Sequence, residues 1–161
     1  MSVAIRIGLL DDLEQVMNVM GRAFDPAFGE AWNRAQCLGI LALPDVSLSI
    51  AVDDADGVVV GFALSRMLVD DGELLLLAVD PAHQSCGIGR ALIEHAADWA
   101  AERGAARLLL EMREGNVAGA LYQTCGFGRI GRRPQYYRGP DGRPFDALTL
   151  ALPLDRDRAC P

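Results

Sequence analysis

The chain contains no lysine: its 15 basic side chains are all arginine, set against 22 acidic ones, for a formal net charge of −7. Without lysine there can be no Gly-Lys-Ser/Thr phosphate loop. The acidic excess argues against direct nucleic-acid binding, which rests on Lys and Arg neutralising phosphates, and suits a cationic or amine substrate. Histidine is almost as scarce. His83 and His95 have no partner at ligand spacing, so His83 reads as an exposed loop residue and His95 as a solvent-facing helix residue. The four cysteines, Cys37, Cys86, Cys125 and Cys160, show neither metal-ligand spacing nor a paired framework, which points to reduced thiols, no disulfide and no metal. No apolar run approaches the roughly 20 residues that span a bilayer. Met1 to Arg6 also lacks the basic start and apolar core of an export signal, so a cytoplasmic protein with no membrane partner is expected.

What is present is apolar. With 51% hydrophobic and 23% charged residues in 161, the chain can bury a core, and its length suits one domain, here placed at 1–154 with a polar tail at 155–161. Val3 to Ile7 alternates like a strand, and Asp11 or Asp12 can cap a helix with the stripe Leu13, Val16, Met17, Met20 and Phe24. A second helix is expected over Glu30 to Leu41, and the intervening loop, with Pro26 and Phe28, can border a groove. Ser47–Val52, Val58–Val69 and Glu73–Val79 then form an antiparallel meander around Asp- and Gly-rich turns. Ile88, Leu92, Ile93, Ala96, Trp99 and Ala100 recur at helical spacing up to Gly104, and Arg107–Met112 follows as a buried strand. Strand, helix, strand in that order implies a right-handed crossover, with a ligand crevice at the strand ends Val79 and Met112. Asn116 can cap a short helix, Val117 to Thr124, which Gly126 terminates, after which Arg129–Tyr137 and Phe145–Leu152 pair across a Gly-Pro-Asp-Gly turn. The sum is a mixed, mostly antiparallel sheet of about seven strands flanked by about four helices, an α/β (α+β) chain.

The run from His83 to Leu92 joins the strand ending at Val79-Asp80-Pro81 to the amphipathic helix. Two glycines, Gly87 and Gly89, let the backbone turn, and the first amides of the helix point unpaired at one spot, where an anion binds. The spacing Gln84-x-x-Gly87-x-Gly89 differs from the dinucleotide fingerprint. It resembles the acetyl-CoA loop of the GNAT N-acyltransferase superfamily.

More of the chain supports the likeness. From Gly61 to Leu154 it looks like the bacterial ribosomal-protein-alanine N-acetyltransferases, which acetylate the N-terminal alanine of a small-subunit ribosomal protein. The matching pieces are Leu77-Ala78-Val79-Asp80-Pro81, the Gln84–Gly89 loop, Leu110-Glu111-Met112-Arg113 with Asn116, Ala120-Leu121-Tyr122, Cys125-Gly126-Phe127, and Arg133-x-x-Tyr136-Tyr137 before Asp141-Gly142-Arg143. The resemblance implies the GNAT fold, acetyl-CoA as co-substrate and direct transfer to an amine.

It also implies roles. Glu111 matches the general base and Tyr122 the general acid. Leu77, Ala78 and Val79 supply the backbone edge for pantetheine, while Gln84, Ser85, Cys86, Gly87, Ile88, Gly89, Arg90 and Asn116 hold the rest of the cofactor. Arg133, Tyr136 and Tyr137 border the acceptor. An α-amine titrates near pH 8, so a carboxylate at a strand end can take its proton, and a phenol can protonate the departing sulfur. Each residue also has a plainer role: Glu111 as a surface ion-pair partner of Arg113 or another arginine, Tyr122 as helix packing, Asn116 as a cap, and the tyrosines as strand aromatics. Ser85 stands where many relatives carry a phosphate-reaching arginine, which Arg90 can replace. Cys86 places an oxidisable thiol in the cofactor loop. The chain is expected to act as a monomer or weak homodimer, and a small amine or polyamine acceptor, or a non-catalytic acyl-CoA-binding module, remains as an alternative.

Overall fold

The structure, a computed structural model, describes residues 1–155. Cys160 and all of the expected tail except Asp155 lie outside the described residues. Seven strands, β1 (Val3–Ile7), β2 (Val46–Asp53), β3 (Val59–Leu68), β4 (Asp71–Val79), β5 (Arg107–Arg113), β6 (Gly128–Arg138) and β7 (Pro144–Pro153), form one sheet in the order β1-β2-β3-β4-β5-β7-β6. Only β4 and β5 run parallel, joined by the helix α3 (Ile88–Glu102). The other helices are α1 (Leu13–Ala23), α2 (Arg34–Leu41) and α4 (Gly119–Thr124). This is the expected mixed sheet with four helices. Among the described residues no helix is long and apolar enough to cross a membrane.

Each face of the sheet carries its own core. Leu13, Val16, Val19 and Met20 of α1, spaced for one helical stripe, pack with Ile50, Phe62 and Leu76 on one face. Leu92, Ile93, Ala96 and Trp99 of α3 pack with Leu108, Leu110 and Tyr122 on the other. Full burial of each such aliphatic side chain contributes roughly 1.5–3 kcal/mol.

One irregularity makes the cleft. Leu64 opposes Leu76 while Ser65 opposes Leu74, so Leu75 is an extra residue in β4. Because side chains alternate with period two, one inserted residue switches faces: Leu74 belongs to the α3 core, but Leu76 and Ala78 belong to the α1 core. Beyond Leu74 the pairing with β5, which holds only from Gly72↔Leu108 to Leu74↔Leu110, also stops. Leu75–Val79 therefore keeps β3 on one side and presents an unpaired backbone edge on the other.

Three local expectations are corrected. Helix α2 starts at Arg34 and not at Glu30, because Asn33 Oδ1 accepts from the Gln36 amide and Gln36 Oε1 accepts from the Asn33 amide, both at 2.8 Å. That reciprocal cap fixes the helix start and leaves residues 24–33 as the α1–α2 loop. His95 is half-buried and shares a 2.8 Å hydrogen bond with Ser49 Oγ. His83 is also half-buried, 3.9 Å from carboxylates of both Asp53 and Asp80.

Candidate active site

Where β4 and β5 part, a cleft of about 660 Å³ opens. Its floor is Leu75–Val79, and one side is built by the β4–α3 connection. Asp80 begins that connection: its side chain accepts from the Ala82 amide at 3.0 Å and pairs with Arg22 of α1 at 2.8 Å, fixing the turn against both layers. Gln84 Nε2 donates to the Val79 carbonyl at 3.1 Å. Ser85 and Gly87 both adopt left-handed φ, +63° and +80°. For Gly87 this costs nothing, but for Ser85 it is a sparsely populated conformation held by its surroundings, as is common in ligand clamps.

Gly87 is the N-cap of α3, so no side chain consumes the first amides, and no acidic residue stands in the first turn. A Cβ on Gly89 would lie 2.8 Å from Leu121 Cδ2, so the glycine lets α3 and α4 close on each other below the cleft. Free amides and an unpaired strand edge fit an anionic, amide-bearing ligand. Gln84, Ser85, Gly87, Ile88, Gly89 and Arg90 all line the cleft, whereas Cys86 faces out with its thiol donating to the Gln84 carbonyl at 3.5 Å. Ile88 is itself a core residue, so its contribution is its amide. Arg90 lies along α3, paired with Glu94 at 3.0 Å.

The opposite side holds the ionisable groups. Glu111, at the diverging end of β5, lines the cleft and pairs with Arg133 at 3.1 Å, and not with Arg113. Tyr122 comes from α4 and packs edge-on against Phe127, with ring centroids 5.6 Å apart. Burial, reinforced by the Glu30 carboxylate, pushes its phenol well above the usual range. The Tyr137 hydroxyl donates to the Glu111 carbonyl at 3.4 Å, and burial, aided by Glu111 and Glu30, pushes its pKa up to about 12. Both phenols are therefore protonated at neutral pH. Asn116 does not cap α4, which starts at Gly119 with Ala118 as its N-cap; its Oδ1 instead accepts from the Ala118 amide at 2.9 Å in the turn before the helix, and its Nδ2 donates to Glu30 Oε2 at 3.1 Å.

Glu111, Tyr122, Tyr137, Asn116 and Leu77–Val79 are thus brought together. Arg133 reaches the site only through Glu111, and exposed Tyr136 does not line it. Sequence reasoning missed Glu30, Phe24 and Trp32 as lining residues. The signals for them were the loop around Phe28, read as able to border a groove, and the loose family likeness of the stretch from Phe24 to Trp32.

Residues 13–127 match the model of the acetyltransferase (GNAT) family. The [ribosomal protein bS18]-alanine N-acetyltransferase of Escherichia coli strain K12 is 43% identical over 100 residues, covering 62% of this chain and 67% of that protein. A streptothricin acetyltransferase of Streptomyces lavendulae is 36% identical over 107 residues, 62% of this chain and 54% of that one. The crystal structure of the ribosomal-protein-S18-alanine N-acetyltransferase from Escherichia coli superposes with a TM-score of 0.81 at 33% identity, covering 96% of this chain and 95% of that one. With its free-amide cradle, split strands and cleft, this chain belongs to the GNAT family of acetyl-CoA-dependent N-acetyltransferases.

Proposed function

We propose that residues 1–154 act as one catalytic domain that acetylates the N-terminal alanine α-amine of a small-subunit ribosomal protein. The observation that carries the acceptor is the 43% identity over 100 residues to the [ribosomal protein bS18]-alanine N-acetyltransferase of Escherichia coli. Acetyl-CoA supplies the activated acetyl thioester. The amides at the start of α3, with Gln84 to Arg90, hold its pyrophosphate, and the free edge of Leu77–Val79 holds its pantetheine amides. Glu111 takes the proton of the acceptor ammonium, directly or through water, and the freed amine forms the new C–N bond at the thioester carbonyl; as the C–S bond breaks, Tyr122, kept protonated by burial, gives its hydroxyl proton to the leaving sulfur and regains one from the acylated nitrogen. A backbone amide at Val79 polarises the acetyl carbonyl. No cysteine nucleophile is needed: Cys86 points out of the cleft, and the chemistry is direct transfer.

A small cationic amine is the second reading, favoured by the similarity to the streptothricin enzyme and by the Glu111 carboxylate that lines the cleft. Intact-mass detection with acetyl-CoA separates them. The acceptors are an alanine-starting peptide, its N-blocked lysine-containing counterpart and a set of polyamines. Transfer to the free α-amine alone is expected. Transfer only to polyamines selects the second reading, and cofactor binding without transfer rejects both. The enzyme has no lysine, which keeps self-acetylation background low.

A further inference from the structure

The α1–α2 loop contributes no group to proton transfer, yet buried polar contacts fasten it across the cleft. Arg113 Nε donates to Glu30 Oε1 at 2.6 Å while Asn116 Nδ2 donates to Oε2, so both carboxylate oxygens are spent on anchoring. The two charged side chains are only 10% and 13% exposed. The Arg113 guanidinium lies 3.7 Å from the centre of the Phe28 ring and donates to the Glu114 carbonyl at 3.1 Å. The loop also meets the β6–β7 hairpin backbone to backbone. A Cβ on Gly29, whose φ is +64°, would lie 2.6 Å from the Arg138 carbonyl, and one on Gly139 would collide with the Ala27 carbonyl. Phe24, Phe28 and Trp32 of this loop face the cleft.

We infer that Glu30 is a positioning residue for the acceptor: by clamping the loop to Arg113 and Asn116 it holds Phe24, Phe28 and Trp32 as a fixed wall of the acceptor pocket. This rests on the reading above that the acceptor enters on the β5 side of the cleft. The tie spans 83 residues of sequence to Arg113 and 86 to Asn116, so nothing local substitutes for it. Removing the carboxylate leaves Arg113 buried and unpaired, and the low-energy escape is for the guanidinium to move to solvent, freeing Phe28 and the loop. A loose wall raises the cost of fixing the acceptor and leaves the cofactor cradle, on the other side, as it was.

The test compares Glu30→Ala and Glu30→Gln with the wild type, using whichever amine of the panel above is the best acceptor. Hydrogen–deuterium exchange of the whole chain is followed in parallel. For Glu30→Ala, the acceptor KM is expected to rise at least about tenfold, while kcat and the KM for acetyl-CoA change by less than about threefold. Exchange should quicken in residues 24–33 and not in α3. Glu30→Gln, which keeps the shape without the charge, should lie between. An acceptor KM unchanged within about twofold, an equal rise in the KM for acetyl-CoA, or faster exchange throughout the chain overturns the assignment. If the peptide is no acceptor but a polyamine is, the ribosomal reading fails while the same split in KM still judges Glu30. If nothing is acetylated, unchanged exchange in residues 24–33 overturns the clamp, and faster exchange confined there supports it.

Discussion

Glu111 and Arg113 lie two residues apart on one strand and end in different ion pairs, Arg113 with Glu30 and Glu111 with Arg133. The Arg133 side chain is 59% exposed, so an arriving ammonium can displace it at little cost, because exposed pairs contribute at most about 1 kcal/mol. Glu111→Gln is expected to lower kcat by about 10²–10⁴-fold, the usual contribution of a positioned base, with acetyl-CoA affinity unchanged by calorimetry. With Tyr122 above its usual range and Tyr137 at about 12, neither phenol loses its proton in the working range. The pH–rate profile should therefore rise through about pH 8 with the acceptor amine and show no tyrosine limb below about pH 10. A descending limb there that Tyr122→Phe removes would contradict the assignment. Asp12 gives a stability prediction. Hydrogen bonds from Arg6 at 2.8 and 2.9 Å, with help from the Leu9 amide, hold its carboxyl below the usual range. A group depressed in the folded state stabilises above its unfolded pKa, about 3.9, and loses that contribution as the pH falls through the folded value. Asp12→Asn should thus lower Tm at pH 7, and thermal melts should show the difference shrinking below about pH 4.

The α1–α2 loop is the element whose details the sequence hid. Gly29→Ala combines a left-handed φ with a Cβ 2.6 Å from the Arg138 carbonyl, and backbone cannot step aside as a side chain can. A loss of about 1–3 kcal/mol in urea titration is expected, together with a raised acceptor KM at an unchanged acetyl-CoA KM. Equal effects on both substrates would mean that the damage is not local. The strands and α3 were legible because their signals are local: alternation in β1, the Ile88–Ala100 stripe, glycines at turns. The cradle was legible for the same reason, since Gln84 to Gly89 is one contiguous run. Glu30 was not, because its meaning comes from partners 83 and 86 residues away, and its helix-compatible neighbourhood was cut off by the Asn33–Gln36 cap. The Leu75 bulge was equally invisible: a run of four leucines, Leu74 to Leu77, has no alternation from which a face switch can be read.

At the scale of the whole molecule, the −7 charge acts on two substrates of opposite sign. Many arginines are committed to internal carboxylates, Arg22 to Asp80, Arg66 to Glu73, Arg107 to Asp71, Arg113 to Glu30, so they offer little free positive charge to an anion at a distance. On the proposed reading, acetyl-CoA is captured by short-range contacts, the α3 amides and the free strand edge, against a repulsive long-range field, whereas a cationic acceptor is drawn in by that field. Screening separates the two, since the Debye length shrinks from about 30 Å at 0.01 M to about 8 Å at 0.15 M. Across that range, kcat/KM for an alanine-starting peptide carrying arginines is expected to fall several-fold, a modest part of the 10–10³ range of electrostatic steering. The same peptide length without arginine should respond little, and kcat/KM for acetyl-CoA should hold or rise. Steady-state rates at a series of salt concentrations decide it. A parallel fall for both peptides would place the salt effect on the fold or the cradle and remove charge from the account of acceptor choice.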